Sequence, residues 1–164
     1  MFRKKHIIRL HMKTTKKQKI IIQVGVKALI FNKARNVLII KRNTEKYPEV
    51  NNLWDIPGGR IDTEVSLEEN LKREIFEEVN LSNVKTLALV SAQDIIKPDK
   101  HVVRLTYVSC ATDFANLKLS DEHIEYRWIS IEDLKILDGL DRYVKEIIKD
   151  NNKVSFIKNT VNKG

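Results

Sequence analysis

An α/β domain is the fold class that this chain predicts, on three observations. Stretches rich in β-branched residues alternate along it with stretches of helical period. The strongest helical pattern opens on a clear capping signal at Ser66. Its 164 residues suit one domain with a real core. Strands and helices interleaved in this way pack as a sheet covered by helices.

A hydrophobic content of 42% beside 32% charged residues is that of a globular protein. The single Cys110 excludes an intrachain disulfide, and its apolar surroundings mark a core thiol rather than a nucleophile. No apolar run reaches the length of a membrane span. Neither His-x-x-x-His nor clustered Cys/His spacing offers a zinc site.

The net charge of +8 is unevenly placed. Arg3, Lys4, Lys5, Arg9, Lys13, Lys16, Lys17 and Lys19 carry all of it, and residues 1–19 hold no acid. This reads as a solvated, flexible leader rather than a nucleic-acid-binding arm. It has no long apolar core or small-residue cleavage site, so it is a poor signal peptide.

Residues 20–31 predict a strand with Gly25 inside it, and residues 37–42 the returning strand of a hairpin. Residues 43–52 form a polar loop broken by Pro48, of the kind that carries ligand contacts. Arg42, Tyr47 and Trp54 are placed to meet a phosphate or a base, although Trp54 suits core packing as well.

Next comes the stretch that organises the chain, residues 53–81. Leu53-Trp54-Asp55-Ile56 leads into Pro57-Gly58-Gly59, a turn that permits close backbone approach. Such a turn can offer a carbonyl to a metal or amides to a phosphate. Ser66 and Glu69 then form a capping box, and Leu67, Leu71, Ile75 and Val79 make one apolar stripe. Glu74, Glu77 and Glu78 share a flank beside it. Arg73 alone cannot neutralise three carboxylates, whereas a hard divalent cation such as Mg²⁺ would.

Beyond the helix, residues 84–96 and 101–111 predict a second hairpin around Pro98-Asp99. A loop covers residues 113–120. Residues 121–129 form an acidic segment leading into a strand, and Ser130 caps a short helix over residues 131–135. Leu140, Tyr143, Val144, Ile147 and Ile148 give a last amphipathic helix over residues 138–150. Residues 151–164 read as a polar tail with an apolar patch at residues 154–157. His123 reads as a surface residue and a weaker candidate base than the glutamates.

Residues 53–81 resemble the signature of the Nudix hydrolases: Gly, five residues, Glu, seven residues, then Arg-Glu-apolar-x-Glu-Glu-x-Gly-apolar. Gly59 is the first Gly, and Arg73, Glu74, Ile75, Glu77, Glu78 and Leu81 fall in register. The flanking Trp54, Pro57 and Gly58 suit the family. Val65 replaces the signature's first Glu and Asn80 its closing Gly. In the family that Glu partners the signature Arg, so Arg73 must find another acid among Asp62, Glu64 and Glu77.

The resemblance is tight over residues 53–81 and looser over residues 20–149. It implies an α/β/α sandwich with a mixed β-sheet between helices, and a Nudix hydrolase domain over residues 20–150. It also implies hydrolysis of a phosphoanhydride bond in a nucleoside diphosphate-linked substrate. Mg²⁺, or Mn²⁺, is expected on Glu74, Glu77, Glu78 and the Gly58 carbonyl. Glu78 is the expected general base and Arg73 should orient the glutamates. Similar proteins bring a Glu from the segment at residues 121–129 to the metal, which makes Glu122 the alternative base and Glu125 the second choice. Arg42, Arg60 and Trp54 are the expected substrate contacts.

Three functions stay open: a house-cleaning pyrophosphohydrolase of nucleoside triphosphates of the 8-oxo-dGTP type, a hydrolase of ADP-ribose or another nucleotide sugar, and a non-hydrolysing nucleotide sensor. The small size favours the first. The expected partner is a small nucleotide diphosphate, with no membrane and no nucleic acid; a homodimer is left open, and the expected location is cytoplasmic.

Overall fold

The structure, a computed structural model, describes residues 20–51 and 53–164; the basic leader expected at residues 1–19 lies outside them. In chain order the elements are β1 (Ile21–Phe31), β2 (Val37–Arg42), β3 (Trp54–Asp55), α1 (Leu67–Val79), β4 (Val84–Ile96), β5 (Lys100–Ala111), β6 (His123–Ile129), α2 (Ile131–Ile136), α3 (Arg142–Lys149) and α4 (Asn151–Lys163).

The sheet is mixed, in the order β3-β2-β1-β5-β4, with β6 also paired to β2. β1 runs parallel to β5 along its whole length, from Ile21↔Lys100 to Phe31↔Cys110. β4 and β5 form the expected antiparallel hairpin. The first hairpin is shorter than expected, because β1 and β2 pair only at Phe31↔Val37. The glycine turn takes the rest of that β1 edge: the Val26 amide donates to the Gly59 carbonyl at 2.8 Å and the Ala28 amide to the Pro57 carbonyl at 2.9 Å. The turn is thereby bolted to the central strand.

Alternation along β1 and β2 divides the core between the two faces. Val26, Ala28, Ile30, Leu38 and Ile40 pack under Leu71, Ile75 and Val79 of α1. Leu29, Phe31, Val37 and Ile39 pack against α2, α3 and α4 on the other face. This is the α/β/α sandwich that the sequence implied.

Two helices differ from expectation. α3 starts at Arg142 because the Asp141 carboxylate caps it, accepting from the Tyr143 and Val144 amides at 3.1 Å each. Residues 151–163 are a helix, not a polar tail. Val154, Ile157 and Val161 recur at helical spacing and join the core, and the Asp150 carboxylate caps the helix at the Asn152 amide, 2.9 Å away. Cys110 is a free, half-buried thiol whose pKa burial pushes up, the opposite of an activated nucleophile. Among the described residues no helix is long and apolar enough to cross a membrane.

Candidate active site

The site is built where α1 meets the glycine turn. Ser66 and Glu69 close the capping box, worth about 1 kcal/mol, and fix where the helix begins. Leu71, Ile75 and Val79 then pin the helix to the sheet, while Leu67 at the open end of the stripe stays exposed. Asn80 ends it in the left-handed region at φ 55°, and its side-chain amide donates to the Asn116 carbonyl at 2.8 Å. Asn in place of Gly is therefore accommodated.

The two glycines of the turn make room for different neighbours. Gly58 lies at φ 126°, and a Cβ on it would stand 2.2 Å from the Val26 carbonyl oxygen. A Cβ on Gly59 would stand 2.2 Å from Glu74 Oε2. The Gly58 amide donates to Glu78 Oε2 at 2.7 Å. Glu74 and Glu78, one helical turn apart, thus both rest on this turn.

Burial disfavours the charged form of both carboxylates. Burial pushes Glu78 up to about 7, against a partial offset from Lys27 and the Gly58 amide. Burial also raises Glu74, although Arg73 works against it. A hard divalent cation would offset that cost, and Mg²⁺ commonly uses one or two protein carboxylates plus substrate phosphates. The donor set fits such an ion.

Glu77, expected as a third ligand, is turned away. It is exposed and its carboxylate accepts from Arg73 Nη1 at 2.9 Å. Among the described residues no three His, Cys, Asp or Glu side chains converge at metal-binding spacing.

Arg73 has replaced its missing partner. It meets Glu74 Oε1 at 2.8 Å, Glu77 Oε2 at 2.9 Å and Asp62 Oδ2 at 3.2 Å, and it donates to the Arg60 carbonyl at 3.1 Å. Asp62 and Glu77, two of the three candidate acids, therefore serve it. Val65 is solvent-exposed. Buried Asn70 holds the loop around it: the side-chain oxygen accepts from the Asp62 amide at 2.8 Å, and the side-chain nitrogen donates to the Val65 carbonyl at 3.1 Å.

A cleft of about 680 Å³ opens beside the turn, lined by Gly58, Gly59, Arg42, Arg60, Lys97 and Lys100 among others. Arg42 and Arg60, the expected phosphate contacts, both line it. Its inner wall is a buried ion network that the sequence reading missed. Asp55 meets Lys27 at 3.0 Å, Arg104 at 3.1 Å and Arg42 at 3.5 Å, and Arg104 also meets Asp141 at 3.0 Å. Lys27 further donates to the Ile56 carbonyl at 3.0 Å, securing the run into the turn. The available signal was a lone cation inside each of two apolar strands, at Lys27 and Arg104. Trp54, expected on the substrate, is instead 5% exposed in the core, with the Arg127 guanidinium 4.5 Å from its ring.

The acidic segment also departs from expectation. Glu122 is exposed, and its backbone carbonyl accepts from the Asn43 amide at 2.8 Å. Glu125 pairs with Arg127 at 2.7 Å and Lys41 at 3.6 Å. The residue of this segment that reaches Glu78 is His123, which is buried rather than on the surface, with Nε2 3.8 Å from Glu78 Oε1. Burial, with Arg42 and Lys27, pulls its pKa down to about 4.

Comparison with known proteins shows the family. The family described as NUDIX domain matches residues 22–150. An 8-oxo-dGTP diphosphatase of Buchnera aphidicola subsp. Schizaphis graminum (strain Sg) is 30% identical over 129 residues, covering 79% of this chain and 93% of that protein. The crystal structure of a MutT protein from Methanosarcina mazei Go1 aligns with TM-score 0.68 at 27% identity, over 80% of this chain and 93% of its own. A C. elegans Ap4A hydrolase shares the fold, with TM-score 0.65 at 18% identity over 81% of this chain and 95% of its own. The chain belongs to the Nudix family of hydrolases, which act on pyrophosphate bonds.

Proposed function

We propose that this enzyme is a Mg²⁺-dependent nucleoside triphosphate pyrophosphohydrolase of the house-cleaning type, acting on oxidised nucleotides such as 8-oxo-dGTP. The observation that carries the reading is the pair Glu74 and Glu78, seated on the Gly58–Gly59 turn at the side of a cation-lined cleft. The similarity to the Buchnera diphosphatase supports the substrate class.

Glu74 and Glu78 would hold the ion with the turn, and Glu77 would join them by leaving Arg73. Bound there, Mg²⁺ or Mn²⁺ supplies charge neutralisation of the diphosphate and a more acidic water. Arg42 and Arg60 draw the phosphates into the cleft. Glu78 takes the proton of the attacking water. The water oxygen bonds to one of the two phosphorus atoms that flank the bridge between the first and second phosphates as the bond from that phosphorus to the bridging oxygen breaks, so the products are a nucleoside monophosphate and pyrophosphate. Arg73 keeps the glutamates apart and oriented.

The test is a substrate panel with Mg²⁺: nucleoside triphosphates, 8-oxo-dGTP, ADP-ribose, dinucleoside polyphosphates and NADH. Pyrophosphate release from triphosphates, fastest with the oxidised nucleotide, is the expected result. AMP plus a sugar phosphate from ADP-ribose alone, or tight binding without turnover, would overturn the reading.

A further inference from the structure

His123 opens β6 opposite Arg42, at the point where the β2–β6 register shifts between Lys41 and Arg42. An irregularity of this kind re-aims a side chain. Here the imidazole is turned inward and is 4% exposed. Its Nδ1 lies 3.4 Å from Ser120 Oγ and its Nε2 3.8 Å from Glu78 Oε1. Among the described residues Nε2 has no hydrogen-bond partner.

The backbone ties the three residues into one unit. The Ser120 amide donates to the Glu78 carbonyl at 3.0 Å, and the His123 amide to the Ser120 carbonyl at 3.2 Å. The end of α1 and the start of β6 are therefore joined through Ser120. Glu78 Oε2 is already fixed by the Gly58 amide. Oε1 faces the ring, so each carboxylate oxygen has its own neighbour.

A buried polar nitrogen without a partner calls for an explanation. A separation of 3.8 Å exceeds a hydrogen bond. Catalytic contacts are often long in ligand-free proteins and tighten in the working complex. Where Glu78 is ionised it only accepts, and the ring then faces it with Nε2–H while Nδ1 accepts from the Ser120 hydroxyl.

We propose that His123 is a positioning residue for the hydrolysis, acting through Glu78; this rests on the hydrolase reading above. Its neutral Nε2–H holds Oε1 while the Gly58 amide holds Oε2. The carboxylate plane is locked from both sides. One lone pair on each oxygen is left for the ion and the attacking water.

Two measurements test this. A long-range ¹⁵N–¹H spectrum of the metal-free protein at alkaline pH, where Glu78 is ionised, reads the tautomer without turnover: Nε2–H is expected, and Nδ1–H overturns the proposal. In kinetics, His123→Ala should lower kcat about 10- to 100-fold with KM nearly unchanged, and His123→Gln, which returns a donor at that reach, should restore most of the loss. A wild-type kcat in His123→Ala, a change in KM alone, or no recovery in a folded His123→Gln overturns it. If His123→Ala does not fold, the tautomer decides. A wild-type protein that hydrolyses nothing on the panel sinks the hydrolase reading, whereas the tautomer addresses the His123–Glu78 contact alone.

Discussion

Glu74 Oε2 occupies the space that a side chain at Gly59 would need, 2.2 Å from where the Cβ would sit. The two adjacent glycines should therefore fail differently. Gly59→Ala meets the flexible end of a side chain, so the protein should stay folded while Glu74 is displaced and turnover falls at least about tenfold. Gly58→Ala meets the Val26 carbonyl and a φ of 126°, so it should destabilise the fold by about 1–3 kcal/mol or more. Thermal unfolding and kcat, measured on both variants, check this.

Glu78→Gln removes the base but keeps a side chain of the same shape beside the Gly58 amide. Turnover with Mg²⁺ should fall by about 10²- to 10⁴-fold in a protein with native circular dichroism. A wild-type rate would mean that the proton goes elsewhere.

The parts of this site that could be read from the sequence are the local ones. The capping box, the apolar stripe and the flank of glutamates repeat within one helix, so spacing alone places them. Asp55, Lys27, Arg104 and Asp141 come from three strands and a helix cap far apart in the chain, brought together by the parallel pairing of β1 with β5, the pairing of β3 with β2 and the Asp141 amide on the Trp54 carbonyl. His123 reads as a surface residue because a lone histidine carries no periodic signal, whereas it is buried at the register shift of β6 against β2. α4 was missed because its polar composition hid an apolar stripe only three residues wide, Val154, Ile157 and Val161.

Asp55 should control acid stability. Burial alone would raise its pKa, but Lys27, Arg104 and Arg42 together outweigh that and hold it well below the usual carboxylate range. A depressed folded pKa contributes stability that is present above the unfolded value, near 3.8, and is lost as pH falls toward the folded one. Asp55→Asn should cost about 3–5 kcal/mol at neutral pH, because Lys27 and Arg104 stay buried without their carboxylate. It should also flatten the loss of stability below about pH 4 that the wild type shows. Urea unfolding across pH 2.5–7 (roughly the span in which carboxylates titrate) measures both effects.

Val65→Glu restores the family's residue at an exposed position where Arg73 is already paired with Glu74, Glu77 and Asp62. Stability should move by less than about 0.5 kcal/mol, and kcat by no more than a few-fold. A jump from no activity to full activity would mean that these three acids do not replace the missing glutamate.

The central claim is that Glu74 and Glu78 grip a divalent ion against the glycine turn. Anomalous diffraction from crystals soaked in Mn²⁺ with a non-hydrolysable 8-oxo-dGTP analogue tests it most directly. The predicted peak touches both carboxylates at the Gly58–Gly59 turn, with the nucleotide phosphates beside Arg42 and Arg60. A fully occupied Mn²⁺ peak elsewhere, with neither glutamate in contact, would contradict it.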